Sequence, residues 1–315
     1  MKRLLLLLAM VTIAICSCRK DDSVPPETGQ TPPEQELPET PEDPSTPDTP
    51  EDPGTPDGPT EPGTPDEPDD TTPEIGDYLY ADGTWSTTMI EDKDIIGIIY
   101  WLGDPTGHDA RLKADHPECT HGLAVSLNQK TGAWQKNMET FGSTVSSWIS
   151  EQDASLHTPF TTSATESLGA MNGYSNTKAI ELFNSAEENA GWKVDAGEKV
   201  LEYRNAVPVP ESTSGWYIPS AKELSLMCSG EFEGNLLELE KPDNDMRMRL
   251  NEILTETKGA YWLTSGIYWS SSEYDDEGTN PYGWMAAWNV LFEDGDVNVS
   301  FKDFTSANYR FILAF

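Results

Sequence analysis

The most regular alternation of apolar and polar positions lies near the C-terminus. Trp288, Val290 and Phe292 flank Asn289, while Val297, Val299 and Phe301 alternate with Asn298, Ser300 and Lys302. Successive side chains of a strand point to opposite faces, so the pattern predicts strands at 286–292 and 297–301 joined by a turn at Glu293-Asp294-Gly295-Asp296. The apolar set is predicted to face a core, and Asn289, Asn298, Ser300 and Lys302 to face solvent. The chain ends Phe311-Ile312-Leu313-Ala314-Phe315, which predicts a closing strand over 309–315 with its terminus in the core. Ile95 to Leu102 is a continuous β-branched and aromatic run, as expected of a strand buried on both faces. Further strands are predicted at 121–127, 261–265 and 268–271, and Gly76 to Trp85 reads as a hairpin turning at Asp82-Gly83.

Helical patterns are fewer. Gly215 to Leu224 compresses a strand, a stop and a helix start into ten residues. Trp216, Tyr217 and Ile218 favour β structure, Pro219 ends the strand, and Ser220 with Glu223 has the spacing of a capping box. Leu224, Met227 and Cys228 follow at helical spacing. A second helix is predicted from Asn176 to about Ala190, with Ala179, Ile180, Leu182, Phe183 and Ala186 on one face and Gly191 after it. A third runs from Met246 to Thr257, capped by Asp245, with Leu250, Ile253 and Leu254 inside. Residues 134–173 are rich in Ser, Thr, Gln and Asn without a period and predict only a short helix near 144–150. Residues 103–120 predict a loop.

The N-terminal quarter follows other rules. Lys2 and Arg3 precede an apolar run, Leu4 to Ile15, that is too short for a spanning helix and has the layout of an export signal. Ser17-Cys18 resembles the lipobox of bacterial lipoproteins, which predicts removal of residues 1–17 and a lipid on Cys18. Asp21 and Asp22 then either resemble the surface-export signal of some Gram-negative anaerobes or simply begin the linker. Sixteen of the 24 prolines lie between Arg19 and Ile75, with eighteen acidic residues against two basic ones. Such a segment buries too little apolar surface to offset the entropy of ordering, so residues 18–75 are predicted to be a disordered, charge-stiffened stalk. Residues 76–315 form the folded head.

The formal charge of −35 is not confined to the stalk, so the head is acidic in its own right. That field repels phosphates and anionic lipid. It argues against nucleic acid as a partner and leaves the membrane reached only through the N-terminal lipid. Cys119 and Cys228 remain in an oxidising compartment, either bridged or as two separate buried thiols. His108, His116, His121 and His157 accompany no nucleophile elbow, and phosphate loops and dinucleotide fingerprints are missing. No catalytic residue, cofactor or metal site is expected. Glu293, Asp294 and Asp296 could clamp a calcium ion, but a hairpin turn explains them more simply.

An ordered set of motifs remains. It comprises Asp82-Gly83-Thr84-Trp85, His121-Gly122-Leu123, Gly215-Trp216-Tyr217-Ile218-Pro219-Ser220, and Tyr268-Trp269-Ser270-Ser271-Ser272-Glu273-Tyr274. Ala287-Trp288 and Tyr309-Arg310 to Phe315 complete it. Over roughly residues 76–315 this is similar to the Lcl C-terminal-type family of bacterial surface proteins, whose heads resemble formylglycine-generating enzymes. The resemblance implies an α+β, C-type-lectin-like fold with an irregular mixed sheet and two to three helices. It also implies a binding module for an extracellular glycan or protein, on an outer-membrane lipoprotein exposed at the cell surface. The matching face would hold Tyr274, Asp275, Asp276, Asn280, Tyr282, Trp284, Asn289, Asn298, Ser300 and Lys302, together with Asn308. Tyr274 and Trp284 serve equally well as half-buried props. The calcium-binding triplets of lectins are absent. Three roles are consistent with these features: an adhesin, a structural subunit of a surface assembly such as a pilus, and a retroelement-diversified binder.

Overall fold

A computed structural model describes residues 72–137, 144–153, 155, 168–230, 236, 244–274 and 282–315. The chain divides into two units, Met1–Gly63 and Thr64–Phe315, and every described residue belongs to the second. Cys18 and the predicted stalk up to residue 71 lie outside the described residues.

Eight strands form one sheet: β1 (Tyr78–Tyr80), β2 (Trp85–Ser86), β3 (Ile95–Leu102), β4 (Gly122–Gly132), β5 (Ile267–Glu273), β6 (Ala286–Leu291), β7 (Val297–Phe301) and β8 (Ala307–Ala314). Their order is β2-β1-β3-β4-β8-β5-β6-β7. All neighbours are antiparallel except β5 and β8, which run parallel at Tyr268 and Asn308, so the sheet is mixed. The chain ends on β8 in mid-sheet, with Phe311 to Ala314 fully buried and Phe315 nearly so, as its apolar end requires.

Six α-helices occur among the described residues: α1 (Ala110–Asp115), α2 (Val145–Gln152), α3 (Gly173–Ser185), α4 (Asp195–Ala206), α5 (Ala221–Ser229) and α6 (Asp245–Glu256). They cover both faces of the sheet. Leu224, Met227 and Cys228 of α5 and Leu250 and Leu254 of α6 pack with Tyr100, Val125, Tyr268, Val290 and Ile312. Val145 and Ile149 of α2, Ile180 and Phe183 of α3, and Val200 and Tyr203 of α4 pack on the other side, with Ile99, Ala124, Trp269 and Phe311. Burying both faces explains why β3 is apolar throughout.

The Gly215 unit sits between these layers. Tyr217 joins the sheet only through a bridge to Ile312, so the predicted strand is one rung long. The capping box forms as expected: Glu223 donates its backbone N–H to Ser220 Oγ at 3.3 Å, and Ser220 donates its own to Glu223 Oε2 at 2.6 Å. The same oxygen accepts the N–H of Gly173 at 3.2 Å, so one carboxylate caps α5 and holds the start of α3.

Several expectations are corrected here. The lectin-like architecture with two to three helices gives way to an eight-stranded sheet with six helices. Helix α4 is not signalled by the sequence pattern, because its apolar stripe is narrow and Gly197 reads as a break. That glycine instead admits close packing of α3, since a Cβ would lie 2.7 Å from Ile180 Cγ2. Within the loop expected over 103–120 lies helix α1, which Asp109 caps by accepting the N–H groups of Arg111 and Leu112. Residues 261–265 are irregular rather than a strand, with Tyr261 and Trp262 exposed. Cys119 and Cys228 are separate buried thiols.

Candidate functional site

The β6–β7 hairpin forms one end of the sheet. Its register pairs Trp288 with Val299, Asn289 with Asn298 and Val290 with Val297, around the Asp294-Gly295 turn, where Gly295 has φ +84° and no Cβ to strain the turn. Among the described residues β7 pairs with β6 alone. A strand with one open flank presents backbone donors and acceptors to another chain, and its exposed apolar side chains add to that tendency. Val299 is 38% exposed and Phe301 58% exposed. Beside them Tyr274, Tyr282, Ala286 and Ser300 complete a groove of about 260 Å³. Tyr282 is 61% exposed, and Tyr274 stands edge-on to Trp288 with ring centroids 5.4 Å apart. Leu168, Ala221, Leu236 and Trp288 form a small buried apolar cluster, against which Tyr274 of the groove and Val297 pack.

Rigidity under this face comes from a buried ion pair. Lys302 follows β7, and its Nζ lies 2.5 Å from Glu273 Oε1 and 4.7 Å from the centre of the Trp134 ring. Glu273 in turn accepts the N–H groups of Val145 and Ser146 at 3.0 and 2.9 Å, the first turn of α2. A carboxylate is well placed at a helix N-terminus, where unpaired N–H groups converge. The backbone of Lys302 donates to Met285 O at 2.8 Å and accepts from Gln135 N at 3.0 Å. Strand β7, helix α2 and the end of β5 are thereby tied at one point.

The residues expected to form a ligand face divide accordingly. Tyr274, Tyr282 and Ser300 line the groove; Trp284 is half-buried nearby and Asn298 is exposed at the strand edge. Lys302, expected outside, is fully buried, because the chain turns in at the end of β7 and its ammonium finds Glu273. Asn289 is also fully buried, donating to Ser300 Oγ at 3.0 Å, since this face too is covered. Conversely Val299 and Phe301, expected inside, are exposed, because among the described residues no strand or helix covers that margin. Asn308 lies elsewhere, bonded to Thr131 at 3.1 Å on β4. Asp275, Asp276 and Asn280 lie outside the described residues.

Glu223 and Asp109 are further buried carboxylates. Glu223 is held up to about 7, chiefly because burial disfavours its charge, with Asp109 adding to the effect. Asp109 accepts the N–H of Ser175 at 2.8 Å and its hydroxyl at 2.6 Å, besides capping α1. These groups join helices to one another, and each is committed to backbone donors. His108 and His121 pack against aromatic rings, His108 on Trp101 and His121 on Trp85 and Phe315, and His157 lies outside the described residues. None of the described helices is long and apolar enough to cross a membrane.

No family model matches the chain. A Bacteroides ovatus protein named as a fimbrium tip subunit, Fim1C, is 25% identical over 238 residues, covering 65% of this chain and 39% of its own length. The crystal structure of a fimbrial protein from Bacteroides ovatus superposes with a TM-score of 0.56 at 24% identity, over 77% of this chain and 49% of that one. The chain therefore corresponds to less than half of either protein. What this head shares in fold is part of a fimbrial protein, and the likeness to Lcl-type and formylglycine-generating-enzyme-like heads is set aside.

Proposed function

We propose that the chain is a structural subunit of a cell-surface fimbria, and that it meets a neighbouring subunit through the open β7 margin. The observation that carries this reading is the pairing of an unshared strand edge with exposed Val299 and Phe301 beside the Tyr274–Tyr282 groove. Edge strands are normally blunted with charge or proline. This one carries apolar side chains and a receptive groove, the combination by which an extended segment adds a strand to a sheet. Similarity to fimbrial proteins supports the same role and favours a structural over a catalytic one. The adhesin and glycan-binding reading loses its basis along with the lectin-like fold.

Within this reading, residues 1–17 direct export, a lipid on Cys18 anchors the chain, and residues 18–75 space the head, 76–315, from the membrane surface. Self-repulsion among the stalk's acidic residues would suit a part that must reach a filament. The test is fractionation of the native host. Sheared, purified fimbriae should contain the chain, and intact cells should expose it to protease. Recovery only in cell bodies stripped of filaments would overturn the proposal.

A further inference from the structure

The turn that follows α1 brings together three side chains whose chemistry the fold does not use. His116 is the C-cap of α1 and donates its backbone N–H to Leu112 O at 2.7 Å. Cys119 N then donates to His116 O at 3.2 Å, and Thr120 N to Glu118 O at 2.9 Å, closing a tight double turn across Pro117. The consequence is that an imidazole nitrogen, a carboxylate oxygen and the Cys119 sulfur all lie within 4.8 Å of one another. His116 Nδ1 and Glu118 Oε1 are 3.6 Å apart. For a tetrahedral zinc with bonds of about 2.0–2.3 Å, neighbouring ligand atoms sit about 3.3–3.7 Å apart. The nitrogen–oxygen edge already has that length, and the sulfur lies within 4.8 Å of both other atoms.

We propose that His116, Glu118 and Cys119 form a zinc site, with water completing the fourth position. Nitrogen, thiolate and carboxylate together suit zinc, whereas magnesium and calcium prefer all-oxygen cages. Neighbouring groups restrain two of the three side chains. The His116 ring stands edge-on to Tyr174, with centroids 5.6 Å apart at 86°, and Tyr174 is itself held by Asp115 at 3.1 Å. In the metal-free chain the Cys119 thiol donates to the carbonyl of Ser212 at 3.6 Å, a bond the thiol gives up when its proton leaves on binding the metal. Access is from the Glu118 side, the exposed member of the three. Such an ion would clip the end of α1 to the strand start at Gly122 as a structural staple independent of the β7 margin.

Cobalt(II) tests the site directly, because a cobalt–thiolate bond gives a charge-transfer band in the near ultraviolet. Titrating the full chain with one equivalent of cobalt should produce that band, and zinc should abolish it by displacement. Cys119→Ser should remove the band although the other free thiol, Cys228, remains, and His116→Asn should weaken zinc binding by at least about tenfold. Because His116 lies at a half-exposed turn, His116→Asn also serves where loss of the buried thiol impairs folding. Zinc should raise the melting temperature of the parent and leave both variants unmoved. The absence of a band in the parent, or a band of equal strength in Cys119→Ser, would overturn the proposal.

Discussion

Lys302 Nζ and Glu273 Oε1 meet at 2.5 Å in a site that excludes water from both. Each charge is costly to bury alone, and breaking such a pair on one side costs about 3–5 kcal/mol. Lys302→Met should therefore destabilise the head by about that amount in denaturant unfolding. Adding Glu273→Leu should not recover the loss fully, because the N–H groups of Val145 and Ser146 then lose their acceptor as well. A loss under about 1 kcal/mol for Lys302→Met would contradict the pairing.

Glu223 sets a pH dependence with a definite sign. Its carboxyl is raised from an ordinary 4.5 to about 7, first by burial. The fold thus favours the protonated form, so this contribution is complete below about 4.5 and is lost as pH rises through about 7. Protonation is also geometrically reasonable. Oε2 keeps the N–H groups of Ser220 and Gly173, while Oε1 lies 3.3 Å from the Tyr217 hydroxyl, whose oxygen can accept a hydrogen bond from the protonated carboxyl. The melting temperature should fall between pH 5 and 8, and Glu223→Gln should flatten that slope. An unchanged slope in the variant would assign it to another group.

Gly173 tests the same junction by size. A Cβ there would stand 2.3 Å from Glu223 Oε2, 2.7 Å from Ile218 O and 2.8 Å from Ser220 N. Two of these are backbone atoms that cannot swing aside. Gly173→Ala should cost about 1–3 kcal/mol or more, despite alanine's better helix propensity. Thermal unfolding of the single variant decides it.

Much of the framework was legible in the sequence because local chemistry dictated it. Ser220 and Glu223 announced their capping box, Ile95 to Leu102 its double burial, and Asp294-Gly295 the last hairpin. What escaped depended on long-range company. The apolar alternation of β7 gave its faces correctly relative to β6, yet could not tell that no other described element covers Val299 and Phe301, since edge position is a property of strand order. Lys302 read as solvent-facing because its partner Glu273 lies 29 residues away. The three side chains of residues 116–119 passed unnoticed because their spacing matches no zinc pattern, and the turn that gathers them is visible only in space. Topology was misjudged for a similar reason: short aromatic motifs fix local packing and leave the order of strands open.

Substitutions on the β7 margin should separate assembly from stability. Phe301→Asp and Val299→Asp change exposed positions, so the fold should shift by no more than about 0.5 kcal/mol. Incorporation into sheared fimbriae should nonetheless drop severalfold, because a charge now occupies the edge a partner must cover. Equal incorporation with unchanged stability would release this margin from any role in assembly.

The most direct measurement is photo-crosslinking in the native host from a benzophenone side chain placed at position 301, with position 201 on α4 as an equally exposed control. If the β7 margin seats a neighbouring subunit, position 301 yields a defined adduct with a fimbrial protein in the filament fraction, and position 201 does not. Adducts from neither site, or from 201 alone, would contradict it.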